Sequence, residues 1–161
     1  MGKDAREKQE DALYLVHLLA AARRAWYNTK DRKGAARMHG EEAARVVRAM
    51  ETIRCGAACS EEELHNQVAQ ALARCGLEAR HEVRLAPRCR IDFLCGGVGI
   101  EIKKNRPERA KLIAQLTRYA ACEQVKALVV AAPRGVNLPR EIGGKRVTMV
   151  ALERLWGISL P

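Results

Sequence analysis

Asp92, Glu101 and Lys103 fall within one short stretch, R-I-D-F-L-C-G-G-V-G-I-E-I-K, and their types and spacing suit metal-assisted acid–base chemistry. The Gly96-Gly97 pair between two extended runs has the composition of a two-residue hairpin turn with positive φ angles. Such a turn sets the register. Cys95 then faces Val98, Leu94 faces Gly99, Phe93 faces Ile100, Asp92 faces Glu101, Ile91 faces Ile102 and Arg90 faces Lys103. Alternation puts Ile91, Phe93, Cys95, Val98, Ile100 and Ile102 on one apolar face and the charges on the other. Two carboxylates set opposite one another repel unless a cation or a proton lies between them, which makes the pair a candidate site for a hard dication such as Mg²⁺. Lys103, on the same face as Glu101, would add an ammonium to stabilise developing negative charge. The competing arrangement is a solvated checkerboard in which Asp92 pairs with Lys103 and Arg90 with Glu101 along the diagonals.

Asp92 followed by Glu101-Ile102-Lys103 on the next strand resembles the PD-(D/E)XK nuclease superfamily, over roughly Ser60 to Val150, with Ile91 where the superfamily's name has Pro. The resemblance implies a restriction-endonuclease-like core and a metal-dependent DNA endonuclease that hydrolyses phosphodiester bonds. It also implies Mg²⁺ or Mn²⁺ held by Asp92, Glu101 and the Ile102 carbonyl, with Lys103 orienting or activating water. Many members add a Glu from the helix before the sheet, and here S-E-E-E-L-H-N-Q-V offers Glu61, Glu62 and Glu63. Helical phase puts Glu61 on the stripe of Leu64 and Val68 and makes it the first choice, with Glu62 second, because Glu63 is positioned to cap. Each of these acids also suits a helix N-terminus through the dipole alone. His65, one turn on, receives no role. The string A-Q-L-T-R-Y-A resembles the Gln-bearing helix of resolvase-like and phage-encoded members, which makes Gln115 a candidate to support the metal-bound water or the phosphate. The alternative function is a catalytically inactive nuclease-fold protein that binds nucleic acid or regulates.

These residues need rigid elements to hold them. Ser60 and Glu63 match a capping box that opens a helix carrying Leu64, Val68, Ala71 and Leu72 and stopping near Gly76. Extended segments follow at His81 to Ala86, Arg90 to Cys95 and Val98 to Lys104, then a helix from Pro107 to Cys122 and a buried strand from Val125 to Ala132. A loop through Pro133, Gly135 and Pro139 leads to a strand at Arg146 to Val150. The order from Ser60 is α-β-β-β-α-β-β, an α/β fold with a mixed central sheet flanked by helices across 60–161. Residues 1–59 read as an N-terminal helical hairpin appendage, with helices at Asp11 to Tyr27 and Glu41 to Ile53. Its basic loop, with Lys30, Arg32, Lys33 and Arg37, is open to DNA or to a second subunit, which would make the chain a homodimer. A helical protein-interaction factor built on that hairpin is a third reading.

Composition points the same way. A formal charge of +10 favours a phosphate-rich partner, because cations that neutralise phosphates release condensed counterions. Aromatics make up only 4%, which argues against a platform that grips single strands by stacking and for recognition of DNA through its backbone. Lys104, Arg106, Arg109 and Lys111 crowd the segment after the Glu-x-Lys strand, and Arg118 follows on the same helix, so these five are the expected phosphate contacts. The six cysteines lack paired C-x-x-C spacing, which argues against zinc and for free thiols in a reducing cytoplasm. No signal-like start or bilayer-length apolar run is present, so no membrane role is expected.

Overall fold

Ser60 opens a helix over Glu61–Arg74 through a reciprocal capping box. Glu63 N donates to Ser60 Oγ at 3.1 Å, and Ser60 N donates to the Glu63 carboxylate at 2.7 Å. The helix ends in a Schellman motif at Gly76, where φ is +65° and the Gly76 and Leu77 amides donate to Ala73 and Leu72 carbonyls. The computed structural model describes residues 34, 37–54 and 59–152; the expected helix Asp11 to Tyr27 and most of the basic loop after it lie outside these.

The described chain is α/β, with helices α1 (37–51), α2 (Glu61–Arg74) and α3 (Arg109–Ala120) and strands β1 (Ala79–Ala86), β2 (Cys89–Cys95), β3 (Val98–Ile102), β4 (Ala127–Ala132), β5 (Glu141–Ile142) and β6 (Lys145–Ala151). They form an open mixed sheet in the order β1-β2-β3-β4-β6-β5. The β1-β2-β3 meander is antiparallel, β3, β4 and β6 run parallel, and β5 closes the far edge antiparallel to β6. A parallel step from β3 to β4 needs a crossover, and α3 supplies it. The short β5 is an addition to the expected order. Gly143 and Gly144 both have positive φ, so Ile142 turns directly back into Lys145.

The β2–β3 hairpin keeps the expected register where its ladder is formed, with Cys95 opposite Val98, Leu94 opposite Gly99 and Phe93 opposite Ile100. Positive φ occurs at Gly96 alone, as a turn needing glycine only at its first central position requires. The ladder stops there. The expected apolar face is also broken: Phe93, Cys95, Val98, Ile100 and Ile102 pack in one layer with α1 and α2, whereas Ile91 packs in the opposite layer with Leu112, Leu116 and Tyr119 of α3. The alternation slips between Ile91 and Phe93, where neighbouring β1 carries Glu82 in the left-handed region at φ 51°.

The sheet-bearing unit begins at Met38, and Ala43, Val46, Ala49, Met50 and Ile53 share one apolar cluster with α2 and the sheet. The second helix of the expected hairpin is thus part of the sheet's own core. Among the cysteines, Cys75, Cys89, Cys95 and Cys122 are free thiols, but Cys59 is disulfide-bonded, which departs from the expectation of free thiols throughout. Among the described residues, no helix is long and apolar enough to cross a membrane.

Ile91 reaches the α3 side by lying over Gly99, where an added Cβ would come within 2.6 Å of Ile91 Cδ1 and 3.2 Å of Leu128 Cδ2. Gly99→Ala is therefore expected to destabilise the fold by about 1–3 kcal/mol through overpacking. The check is the urea midpoint, and an unchanged midpoint would show that Ile91 moves aside freely.

Candidate active site

β3 lies between β2 and β4, so a charge on its α3-facing side is shut away from water. Glu101 occupies that side and is the only charged residue that is buried among those described, at 3% exposure. Sealing a carboxylate there costs several kcal/mol unless hydrogen bonds and a counter-charge offset it. Lys103 Nζ donates to Glu101 Oε1 at 2.6 Å from two residues along the same strand, and Gln115 Nε2 on α3 donates to the same oxygen at 2.8 Å. Lys103 keeps 29% of its side chain exposed, so its ammonium bridges the buried acid and the surface.

Tyr119, one turn after Gln115, completes the shell. Its hydroxyl lies 2.9 Å from Glu101 Oε2 and 2.7 Å from the Arg90 carbonyl, and it accepts from Gln115 Nε2 at 2.6 Å. A hydroxyl has one proton to give, so it serves only one of its two acceptors at a time. A proton on Glu101 satisfies both contacts at once, because the acid can then donate to the phenol oxygen. Burial, followed by the neighbouring Asp92 charge, raises the Glu101 pKa above the ordinary carboxylate value, and the Lys103 contact opposes that rise. Burial first and the Glu101 charge second raise Tyr119, which therefore holds its proton throughout the accessible pH range.

Asp92 is half-buried, and its charge bears on both Glu101 and Tyr119. Asp92 and Glu101 do not form the expected ladder pair. Instead, Ile102 N donates to Asp92 Oδ2 at 2.7 Å, so the backbone of the Glu-x-Lys strand holds the acid in place. The checkerboard is absent as well, because Lys103 pairs with Glu101 and the Arg90 guanidinium contacts Glu82 at 3.3 Å. Among the described residues, no group of three or more His, Cys, Asp and Glu converges as a metal cluster. The open acceptor capacity is the second lone pair of Glu101 Oε2 and the whole of Asp92 Oδ1. Carboxylate oxygens of this kind are the donors that a hard dication takes.

The other expected residues are spread more widely. Glu61 and Glu62 are exposed rather than on the buried stripe of Leu64 and Val68, and neither hydrogen-bonds to the Glu101 cluster. That stripe faces the layer opposite to Glu101. Lys104 and Arg106 are exposed, Lys111 pairs with Glu108 at 2.6 Å and Arg109 Nε donates to the Asn137 carbonyl at 2.7 Å. Arg118 lines a cleft of about 540 Å³ whose other walls include Arg84, Arg88, Arg90, Gln115 and Tyr119. Tyr119 was not among the expected site residues. Its spacing of four from Gln115 on one helical stripe was the available signal for a shared partner.

Tyr119→Phe is expected to cost about 1–3 kcal/mol, since it removes a hydroxyl that donates to either the Arg90 carbonyl or the buried Glu101 carboxylate and accepts from Gln115; the urea midpoint reads this out. A second test uses pH. A carboxyl whose folded pKa is raised binds more protons in the folded chain, so its contribution is complete below the unfolded pKa and is lost as pH rises through the folded one. In chelator, the melting temperature of the wild type relative to Glu101→Gln should fall as pH climbs from the ordinary carboxylate range through that raised value. A pH-independent difference would mean that the site holds Glu101 ionised at no cost.

Comparison of the chain with models of known protein families, with curated proteins and with solved structures finds no match in any of the three.

Proposed function

We propose that this chain is a metal-dependent DNA endonuclease of the PD-(D/E)XK type, with Asp92, Glu101 and Lys103 as its reactive centre. The observation that carries the reading is a buried glutamate tied to a surface-reaching lysine, with a second carboxylate beside it and its own free oxygen. Structural ion pairs need no second acid. An added like charge is a cost to the fold, and a site that retains it has reason to attract a cation.

In this reading Asp92 and Glu101, with the Ile102 carbonyl, would hold Mg²⁺ or Mn²⁺, which when bound supplies Lewis acidity towards a phosphate oxygen and a more acidic water. Lys103 keeps its ammonium at the mouth of the site, anchored by Glu101 Oε1, where it stabilises extra negative charge on a phosphate in the transition state. Ile102 N fixes the Asp92 carboxylate so that its free oxygen keeps one direction. Gln115 serves as a positioning residue, because both of its amide hydrogens are spent on Glu101 and Tyr119. It supports the acid rather than water or phosphate directly. Glu61 has no place in this reading.

A second reading, a nuclease-fold binder without catalysis, is favoured by the two donors that fill Glu101 Oε1. The two readings diverge in titration calorimetry with Mn²⁺, where the binder takes up no ion. For the nuclease, Asp92→Asn keeps an acceptor for Ile102 N and Lys103→Gln keeps a donor for Glu101. Each should therefore remain folded by circular dichroism while losing roughly a hundredfold or more in Mg²⁺- or Mn²⁺-dependent cleavage of plasmid DNA. Wild-type cleavage rates in both variants would discard the assignment.

A further inference from the structure

The antiparallel register sets Arg84 of β1 directly opposite Arg90 of β2. Like charges in such a pair are unfavourable unless something anionic lies against them. Glu82 meets the Arg90 guanidinium at 3.3 Å, but both partners are more than half exposed. Among the described residues no carboxylate pairs with Arg84, Arg88 or Arg118.

The turn between these strands adds an independent observation. Pro87 and Arg88 connect Ala86 to Cys89, and Arg88 has φ +57°, the left-handed region that such a turn normally fills with glycine or asparagine. A long cationic side chain is therefore kept where a smaller residue would relieve strain, and backbone strain of this kind collects at functional sites. From that position Arg88 lines the cleft of about 540 Å³ together with Arg84, Arg90 and Arg118, next to the Gln115 and Tyr119 side chains that hold Glu101. Four arginines on one open cleft suit an extended anion rather than a small enclosed one. Planar guanidiniums match phosphate oxygens in geometry as well as charge.

We infer that the cleft formed by Arg84, Arg88, Arg90 and Arg118 seats the phosphodiester backbone of a nucleic acid, on the α3 flank of the Glu101 site. This rests on the nuclease reading only for the choice of polymer. The arginines position the strand. They carry no sequence information, since phosphate contacts fix register and orientation alone. Of the cations expected from sequence to meet phosphate, Arg118 alone belongs to this cleft. The turn and strand arginines are new to the list, because their convergence depends on the pairing of β1 with β2.

The experiment is fluorescence anisotropy of a labelled short DNA duplex, in chelator, across a salt series. The variants are Arg84→Gln/Arg88→Gly and a control, Arg74→Gln/Arg80→Gln, which removes two exposed cations outside the cleft. Arg88→Gly relieves the left-handed strain, so the cleft variant should melt no lower than the wild type. The cleft variant is expected to bind at least about tenfold more weakly near 0.1 M salt, with the slope of log K against log salt reduced by about two. The control should change that slope little. Unchanged affinity and slope in the cleft variant, equal weakening in the control, or a wild type with no affinity for the duplex would each overturn the inference. Binding that follows the arginines in a wild type that never cleaves would sink the nuclease reading and leave the cleft standing.

Discussion

Placing one carboxylate, Glu101, between the sheet and α3 constrains everything around it. Sealed away from water, that group must be surrounded by donors or carry a proton, and neither arrangement tolerates loose neighbours. Lys103, Gln115 and Tyr119 supply the donors from one strand and one helix, so the distance and phase between β3 and α3 are coupled to the state of the acid. Leu112 and Leu116 flank the polar residues on the same helix, so the apolar packing that seats α3 also aims its amide and phenol. Packing and polar satisfaction are here one problem.

The bend in the β-meander serves that centre. A regular hairpin would have carried Ile91 onto the α1 and α2 side, leaving a hollow above Gly99 next to the acid. The slip opposite Glu82 turns Ile91 over, fills that space and ends the ladder before Asp92, which leaves the Ile102 amide free to bind the Asp92 carboxylate. A left-handed non-glycine residue costs on the order of 1 kcal/mol, which a filled core and a fixed carboxylate can offset. Bulges and slips of this kind often lie beside sites that need a side chain aimed off the regular pleat.

Much of this was legible in the residues themselves. Ser60 and Glu63 announced the helix start, Gly96-Gly97 announced the turn and its register, and the Glu-x-Lys spacing announced a lysine beside its acid. Each rests on local geometry that neighbours three or four positions apart decide. What escaped was non-local. Nothing in R-I-D-F says that the strand will change face between Ile91 and Phe93, where the neighbouring strand carries Glu82 at positive φ and the ladder has no Glu82–Asp92 pair. Glu61 failed for a related reason: burial on the stripe begins only at Leu64, and the whole first turn of acids before it faces solvent. Gly143-Gly144 offered the same signal as Gly96-Gly97, but β5 has only two residues and carries no strand period to accompany the turn.

Charge is distributed with a consistent logic. The chain carries an excess of +10, yet the buried charged position is acidic and most of the cations that border its layer are at the surface. An acid at the interior and arginines at the rim give a field that is positive at a distance and negative close in. A polyanion approaching such a surface is drawn by the rim and repelled at the centre, unless a cation already compensates the two carboxylates. Attraction at the rim therefore does not depend on the centre being complete, whereas close approach to Glu101 does. Under the proposed function, that separation would let the arginine cleft hold a strand before the acidic centre engages its phosphate.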